Sequence, residues 1–426
     1  MLRTRVFCMT DTADVLAGLA AIRPDLEALY QHLHAHPELS NQEVESAARM
    51  AEGLRTAGFE VHEQVGDSTG VVGILRNGEG PVVLLRADMD GLPVLEDEKV
   101  PYRSRARGTW EGTEVPVMHA CGHDHHMSAM QGAARLLAGR PEAWSGTLVI
   151  VFQPAEEVVT GARGMAEQVK ELVPHIDIAL GQHVWPAPAG QVFSAGGPVM
   201  ASTDGLHVVV HGRGGHGSQP ENTVDPVVLA SHIVVRLQTI VSREVAPRQM
   251  GVVTVGRISA GTKGNIIPAV AELDINIRAY DEDVRNHLKQ SIVRIIDAEC
   301  AAAGEPARAE YTWVTPAPVT SNDPDAATRV GAAFDAEFGD DHQPQDPVSG
   351  SEDFGLIPAA YPAPYVFWFV GGFDRETYVR AVERGTLAQD IPSNHAPNFI
   401  PEMQPTLDAG VRALVSAALA WLGKQA

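Results

Sequence analysis

Cysteine is scarce in this chain of 426 residues, which contains three. Cys8, Cys121 and Cys300 are widely spaced and odd in number, which argues against the disulfide framework of a small secreted protein. This usage favours a reducing compartment, and we expect a cytoplasmic protein. We expect no secretion signal, because the apolar run near the start is too short for one and acidic residues follow it at once.

Positive charge is also scarce, with 32 Lys and Arg residues against 54 Asp and Glu residues and a net charge of −22. Such a surface would repel nucleic-acid phosphates and anionic lipids, so we expect neither as a partner. No run of about eighteen uncharged apolar residues occurs, so we expect no membrane helix. The negative charge fits a small-molecule partner better. The length and the 44% hydrophobic content favour two domains.

Short apolar runs alternate with helical patterns in the first and last thirds of the chain, after a helical pattern over residues 14–36. The alternation predicts an α/β domain whose mostly parallel sheet is flanked by helices. Ligands of such sheets bind at the carboxyl ends of strands. The first three runs end in side chains that can bind ligands, namely Asp88 and Asp90, Glu156 and Glu157, and His183.

The middle third has a different pattern, in which alternating strands and two helices follow the order β-α-β-β-α-β. This order predicts a ferredoxin-like α+β unit with one antiparallel sheet under two helices. Glycine and proline clusters at residues 196–198 and 315–318 are suited to hinges. We therefore predict a catalytic domain of residues 11–197 and 313–424, into which residues 198–312 are inserted.

The densest group of chemically active side chains is the stretch MHACGHDHH, which contains Cys121 and His123. A lone Cys or His is more often a core residue, but this cluster is too polar for packing to explain it well. With Glu157 and His183, the two residues supply S, N, O and N donors. Such a set selects zinc or a neighbouring transition metal over magnesium or calcium. Metal binding lowers the pKa of a bound water, and of the adjacent glutamates one could bind metal while the other acts as a base for that water.

Nine motifs spread along the chain from His34 to Phe399 resemble those of hippurate hydrolases, auxin-conjugate hydrolases and N-acyl-amino-acid amidohydrolases. HACGHD and QPAEE are the most specific of them. The resemblance implies a zinc-peptidase-like catalytic domain with an inserted lid that pairs subunits, in a homodimer or homotetramer. The motifs, in chain order, are HAHPELS, LLRADMDGLPV, MHACGHD, FQPAEE, GQHVWP, GRGGHGSQP, GNIIPAVAEL, SGSEDFG and NHAPNF.

The resemblance also implies a set of site residues. Glu156 would be the general base. Two divalent transition-metal ions per chain would be bound, with zinc or manganese expected first and cobalt or nickel as alternatives. His395 enters this set through the resemblance alone, since spacing does not distinguish it from an ordinary loop histidine. The implied metal ligands are Cys121, His123, Glu157, His183 and His395.

Further roles rest on the same resemblance. In related peptidases an aspartate orients a metal-binding histidine; Asp90 would take that part, and Asp88 stands where the histidine would be. His216 would reach from the lid to polarise the scissile carbonyl, although a surface turn histidine is the alternative. Asn265 and Arg278 would hold the free carboxylate of the substrate, although an exposed position is the alternative for Arg278.

Two features depart from the family pattern. His125 stands where glycine is common, and it could face solvent or line the pocket. The loop over residues 105–116 is longer than expected and could shape the acyl pocket. The roles of His125, Asp88, Glu352 and Asp353 stay open.

The expected reaction is hydrolysis of an N-acyl-L-amino acid to a carboxylic acid and a free amino acid. The nearest alternative is a dipeptidase or carboxypeptidase with the same metal site. A second alternative makes Cys121 a nucleophile paired with a histidine. A third is a non-catalytic, metal-dependent binding module, against which the presence of Glu156 beside Glu157 argues.

Overall fold

A computed structural model describes residues 9–97 and 99–423, so Cys8 lies outside the described residues. The helices are α1 (Met9–Leu16), α2 (Leu19–Ala35), α3 (Val44–Thr56), α4 (His123–Ala138), α5 (Gly161–Leu172), α6 (Pro226–Thr239), α7 (Glu282–Ala303), α8 (Pro324–Phe338), α9 (Leu356–Ala359), α10 (Arg375–Arg384), α11 (Leu387–Asp390) and α12 (Met403–Leu422). The strands are β1 (Glu60–Val65), β2 (Gly70–Asn77), β3 (Val82–Asp88), β4 (Arg107–Trp110), β5 (Thr113–Pro116), β6 (Gly146–Gln153), β7 (Ile178–Pro188), β8 (Val192–Ser194), β9 (Gly197–Met200), β10 (Ser202–His211), β11 (Gly215–His216), β12 (Gly251–Ala260), β13 (Ile266–Ile267), β14 (Val270–Ala279), β15 (Arg308–Ala317), β16 (Thr320–Asn322), β17 (His342–Pro344) and β18 (Tyr365–Phe373).

The described residues divide into two compact units. The larger unit contains the chain up to Val199, the segment Ser321–Asp346 and the chain from Asp353 onward. The inserted unit contains Met200–Thr320 and Pro347–Glu352. Residue 312, the predicted end of the inserted domain, lies inside β15.

The larger unit is built on an eight-stranded sheet in the order β1-β2-β6-β3-β7-β18-β8-β17. Its four central strands, β6, β3, β7 and β18, pair in parallel, whereas β1, β2 and β6 pair antiparallel. The central strands are buried on both faces, which explains why their sequences are continuous apolar runs. The α/β prediction is confirmed, and the sheet is mixed with a parallel centre.

Helix α4 lies against α2 and α12 in the core of this unit. The predicted single helix over residues 14–36 is wrong, because α1 ends at Leu16 and α2 begins at Leu19. Gly18 lies at this break, and glycine is among the weakest helix formers. The predicted loop over residues 105–116 forms the antiparallel hairpin β4–β5.

The prediction that the third apolar run ends at His183 is wrong, because β7 continues to Pro188. The neighbouring strand β3 is shorter, and its pairing with β7 extends to Arg86 opposite Gly181. His183 therefore lies level with the end of β3, which is the edge where ligands of parallel sheets bind. The structure places a strand interior where the sequence indicated a strand end.

The inserted unit has a four-stranded antiparallel sheet in the order β12-β14-β10-β15. Its apolar side chains form a separate core with those of α6 and α7. Every second residue of β14 contributes to this core, as do Leu206, Val208 and Val210 of β10. The predicted β-α-β-β-α-β order is confirmed. No helix within residues 9–97 and 99–423 has the length and apolarity needed to cross a membrane.

Candidate metal centre

The start of α4 fixes the two donors of the cysteine motif. Gly122 has a φ of 81°, in the left-handed region that favours glycine. A Cβ atom at this position would lie 2.2 Å from a methyl carbon of Val184, so no larger residue fits. The chain therefore bends sharply between Cys121 and His123, and both side chains are buried.

The structure brings together the five side chains predicted as metal ligands. The Sγ atom of Cys121 lies 3.4 Å from Nε2 of His183. Glu157 connects the other two, since its Oε1 lies 3.9 Å from Nε2 of His123 and its Oε2 lies 3.2 Å from Nε2 of His395. Donor atoms of Cys121, His123 and Glu157 all lie within 4.8 Å of one another. This spacing suits S, N and O ligands around a transition metal.

His183 is held in the tautomer that a metal ligand needs. Its Nδ1 donates to the backbone oxygen of Val184 at 2.7 Å, which leaves the lone pair of Nε2 available beside Cys121. Burial and the nearby His126 hold the pKa of His183 well below its usual value, so the ring is neutral.

The surroundings of His123 are rich in negative charge. Burial alone would lower its pKa, but Asp88, Asp90 and Glu157 raise the pKa of His123 to about 10. Among the described residues, both ring nitrogens of His123 and Oε1 of Glu157 are buried without a hydrogen-bond partner. Buried polar atoms normally have partners, because leaving them unpaired is costly. A divalent cation would satisfy Nε2 of His123 and Oε1 of Glu157, whereas Nδ1 of His123 faces Asp90. The cation would also compensate the carboxylates, so the residues fit the implied metals.

Cys121 has the environment of a ligand rather than that of a nucleophile. Burial, followed by the charges of Glu157 and Glu156, raises the pKa of the Cys121 thiol well above its usual value. A nucleophilic cysteine needs the opposite shift, whereas a metal ion stabilises the thiolate directly.

Asp90 connects the histidine to the adjacent glutamates. Its carboxylate accepts the hydroxyl of Ser40 at 2.6 Å and the backbone N–H groups of Glu156 and Glu157 at 3.1 Å each. Its Oδ1 also lies 3.4 Å from Nδ1 of His123. After burial, which raises it, the contacts with His123 lower the pKa of Asp90 below its usual value. Asp90 therefore lies beside His123, and its orienting role stays a prediction.

His126 was missed by the sequence reasoning. Its Nε2 accepts the N–H of Val184 at 2.8 Å, so its Nδ1 carries the proton and donates to Asp88 at 2.5 Å. Asp88 also accepts from the fully buried Arg86 at 2.7 Å. His126 follows His123 by three residues on α4, a spacing that places both on one helix face and could have indicated the pair.

Asp353 belongs to the same buried network, in which it contacts Arg86 and Gln153. Arg86 donates to Gln153 at 2.8 Å and to Asp353 at 3.2 Å, and Gln153 donates to Asp353 at 2.7 Å. Asp353, whose role the sequence left open, therefore forms an ion pair with the buried Arg86. Glu352 belongs to the segment Pro347–Glu352 of the inserted unit.

Comparison with known proteins now decides the family. Residues 84–383 match the peptidase family M20/M25/M40. The chain belongs to this family. It is 36% identical to the N-acetylcysteine deacetylase of Bacillus subtilis (80% of this chain, 87% of the relative) and 36% identical to the hippurate hydrolase of Campylobacter jejuni (83% and 90%). It is 38% identical to thermostable carboxypeptidase 2 of Saccharolobus solfataricus (79% and 83%).

The fold agrees with solved structures of the M20 family. The Bacillus subtilis YXEP protein, a dinuclear metal-binding peptidase from this family, aligns with a TM-score of 0.75 and 28% identity over 94% of this chain and 99% of its own. The predicted resemblance and fold class are confirmed, and the chain is a hydrolase of the class that acts on amide bonds.

The structure excludes one of the two alternatives for His125. His125 is buried, so it does not face solvent. Its ring packs on Tyr30 with a centroid distance of 4.2 Å. Burial lowers the pKa of His125 to about 4, so the ring is neutral at pH 7.

A second buried cluster adjoins the first turn of α4. His34 contacts Asp124 through Nδ1 at 2.7 Å and Glu96 through Nε2 at 2.9 Å. The remaining carboxylate oxygens accept N–H groups, Asp124 from His125 at 2.9 Å and Glu96 from Ser104 at 2.6 Å. Burial opposes the charge, but the two carboxylates raise the pKa of His34 to about 9, so it is an imidazolium at neutral pH.

The three residues predicted to bind substrate lie in the inserted unit. His216 is exposed in β11, which pairs with β13, and the N–H of Gly217 donates to the backbone oxygen of Asn265 at 3.0 Å. His216 and Asn265 are therefore neighbours. Arg278 is half-buried on β14 and donates to Asn276 at 3.1 Å and to the backbone oxygen of Ser349 at 2.7 Å. Its position is less exposed than the alternative interpretation required.

Proposed function

We propose that this M20-family protein hydrolyses N-acyl-L-amino acids to a carboxylic acid and a free amino acid. The observation that carries the proposal is the donor set of Cys121, His123 and Glu157, next to a second glutamate, Glu156. Buried polar atoms of His123 and Glu157 have no hydrogen-bond partner in the part of the chain that the structure describes. The similarity to a hippurate hydrolase and an N-acetylcysteine deacetylase supports this substrate class.

In the proposed mechanism, Glu156 acts first as the general base and then as the general acid. Two divalent ions, held by Cys121, His123, Glu157, His183 and His395, would supply Lewis acidity and lower the pKa of the attacking water. The Glu156 carboxylate accepts a proton from this water and returns it to the nitrogen of the leaving amine. Asp90 keeps the backbone of both glutamates in place for this transfer, since it accepts both of their N–H groups.

Substrate recognition is assigned to His216, Asn265 and Arg278. His216 would donate to the carbonyl oxygen as negative charge develops there. Arg278 and Asn265 would bind the free carboxylate, so we expect a preference for acyl amino acids over simple amides. Arg278 has donors to spare for this contact, because a guanidinium carries five N–H groups.

The proposal also covers the identity of the metal, the location in the cell and the oligomeric state. Zinc or manganese is the expected metal pair, with cobalt or nickel as alternatives, because the donor set includes a thiol and imidazoles. We assign the protein to the cytoplasm, where Cys121 would stay reduced. A homodimer or homotetramer, formed through residues 198–312 as a lid and dimerisation domain, completes the proposal.

Metal content and turnover should be measured on the same sample. We expect about two transition-metal ions per chain by elemental mass spectrometry, and hydrolysis of benzoyl- and acetyl-amino acids that chelation abolishes and zinc, manganese or cobalt restores. Activity that resists chelation but is lost with iodoacetamide would instead make Cys121 a nucleophile. Bound metal without turnover of any amide would favour a binding role.

The role of Glu156 has its own test. Glu156→Gln keeps the size of the side chain but removes the base, so kcat should fall by about 100- to 10,000-fold while bound metal stays unchanged. Glu171→Gln, at an exposed position in α5, is the matched control and should keep full activity. Near-native turnover of Glu156→Gln with metal bound would show that another group is the base.

A carboxypeptidase is the second candidate, since thermostable carboxypeptidase 2 is a relative of comparable identity. Both activities cleave an amide next to a carboxylate, so the metal ligands do not separate them. Relative kcat/KM values on benzoyl-, acetyl- and aminoacyl-amino acids do. A clear preference for aminoacyl substrates would favour the carboxypeptidase.

A further inference from the structure

The two glutamates of the centre follow a backbone conformation that alanine rarely adopts. Ala155 has a φ of 53°, in the left-handed region where a Cβ atom is unfavourable. Its carbonyl oxygen accepts the N–H groups of Thr160 and Gly161, both at 3.2 Å, which closes the loop between β6 and α5. A conformation of this kind persists only when its surroundings enforce it.

Glu43 is the group that contacts this residue. Its side chain is buried, and its Oε1 accepts the N–H of Ala155 at 2.9 Å. The same oxygen accepts the N–H of Asn41 at 2.9 Å, and Oε2 accepts the hydroxyl of Thr69 at 2.7 Å. Glu43 thus joins the start of α3 to the loop that contains Glu156.

Three consecutive N–H groups of the loop are directed at two buried carboxylates. The N–H of Ala155 binds Glu43, and those of Glu156 and Glu157 bind Asp90. Asp90 fixes the peptides of the glutamates themselves, whereas Glu43 fixes the turn that precedes them. Rotation of Ala155 toward its ordinary backbone region would turn the next peptide and displace both glutamates.

We propose that Glu43 is a positioning residue of the centre, whose carboxylate holds Ala155 in the left-handed turn and thereby directs Glu156 and Glu157. The assignment rests on the proposed function for the roles of those two glutamates. It makes Glu43 important for catalysis and metal retention without contact with the substrate.

Substitutions that keep or remove the acceptor test this role. Glu43→Leu has a similar size but no acceptor, so we expect kcat and metal affinity to fall by about 10- to 100-fold, the range found for residues that support metal ligands. KM should change less than about threefold, since substrate contacts are untouched. Glu43→Gln should stay near the wild-type values, because its amide oxygen still accepts from Ala155 and its nitrogen can donate to Thr69.

The decisive variant is Ala155→Gly in the Glu43→Leu background. Glycine adopts a positive φ without an enforcing contact, so it should restore a large part of the lost kcat and metal affinity. The matched control is Glu38→Leu, because that carboxylate accepts the N–H groups of Glu45 and Ser46 at the start of the same helix. It should reduce thermal stability and leave kcat within about twofold of the wild-type value.

The outcomes separate the inference from the proposed function. If Glu43→Leu does not fold, Glu43→Asp, which keeps the charge but shortens the reach, should show a smaller loss of kcat and metal affinity. Equal losses in the Glu43 and Glu38 variants, or no recovery with Ala155→Gly, would overturn the positioning role. Metal affinity, measured by competition with a chelator, decides the inference even if no N-acyl amino acid is hydrolysed.

Discussion

Two buried clusters of acids and histidines lie at the first turn of α4, one around His123 and the other around His34 and Asp124. In the His34 cluster an imidazolium lies between two carboxylates, and the carboxylate oxygens that His34 does not contact accept backbone N–H groups. In the His123 cluster, three carboxylates surround one ring, and no residue within 9–97 and 99–423 forms a hydrogen bond with its nitrogens. The residue types are the same, but only the His34 cluster satisfies its own charges.

This difference teaches how to separate a ligand site from a structural one. A buried group that is fully paired needs nothing from outside, whereas unpaired atoms in a negative environment need a cation. The His34 cluster should therefore affect stability and the His123 cluster should affect metal binding and activity. Each of the following substitutions tests whether a group of charges contributes to metal binding and activity or to stability.

The largest effect is expected in the His123 cluster. Cys121→Ser removes the sulfur donor, so activity should fall by about 1,000-fold or more, because a metal ion supplies several kcal/mol of transition-state stabilisation. Metal content by elemental mass spectrometry should fall as well. Cys300→Ser, at the buried free cysteine of the inserted unit, is the control and should keep both. Full activity of Cys121→Ser would remove Cys121 from the ligand set.

The next effect is expected in the His34 cluster. His34→Gln leaves Glu96 and Asp124 buried without their cation, so the free energy of unfolding should fall by about 3–5 kcal/mol. Urea unfolding monitored by circular dichroism measures this change. His32→Gln, at a partly exposed position two residues earlier, should change it little. Loss of bound metal with unchanged stability would reverse the roles of the two clusters.

The stabilisation by the His34 cluster should depend on pH. The folded-state pKa of His34 is raised to about 9, so its stabilisation is complete below the unfolded-state value of 6.5 and is lost as the pH rises through 9. The stability difference between wild type and His34→Gln should shrink by roughly 3 kcal/mol between pH 6 and pH 10. Measurements on chelated protein remove the contribution of metal release. A constant difference would mean that His34 is neutral.

The smallest effect is expected at exposed charges of the inserted unit. Arg257 forms ion pairs with Glu272 at 3.0 Å and with Asp274 at 3.2 Å on the surface of the sheet. Water and salt screen such pairs, so Arg257→Gln should change the free energy of unfolding far less than His34→Gln does. Thermal unfolding at two salt concentrations measures it. A larger loss would show that clusters outside the core also contribute to stability.

The sequence was most informative where chemistry depends on neighbours along the chain. The spacing of Cys121 and His123, and of Glu156 and Glu157, indicated donors because each pair shares one loop or helix turn. The α/β alternation and the order of the inserted unit were predictable for the same reason, since each strand and helix has its own periodicity. His395 was different, because only folding brings it to Glu157.

The sequence did not predict features that depend on tertiary contacts. The role of His126 requires the N–H of Val184, which lies far along the chain. The fully buried His34 cluster combines residues from α2, α4 and the loop after β3, none of which has a distinctive pattern. The low helix propensity of glycine could have indicated the break at Gly18. The continuation of β7 past His183 was missed because it depends on pairing with β18, which the sequence does not show.

Asp90 has a practical consequence for production of the enzyme. Its carboxylate accepts hydrogen bonds from Ser40, Glu156 and Glu157. These bonds hold the backbone of the two glutamates without a metal ion. Protein made in a medium poor in transition metals should therefore fold into a form ready for loading. One such preparation, divided and charged with zinc, manganese, cobalt or nickel, would rank the ions by the activity that each confers on an identical polypeptide.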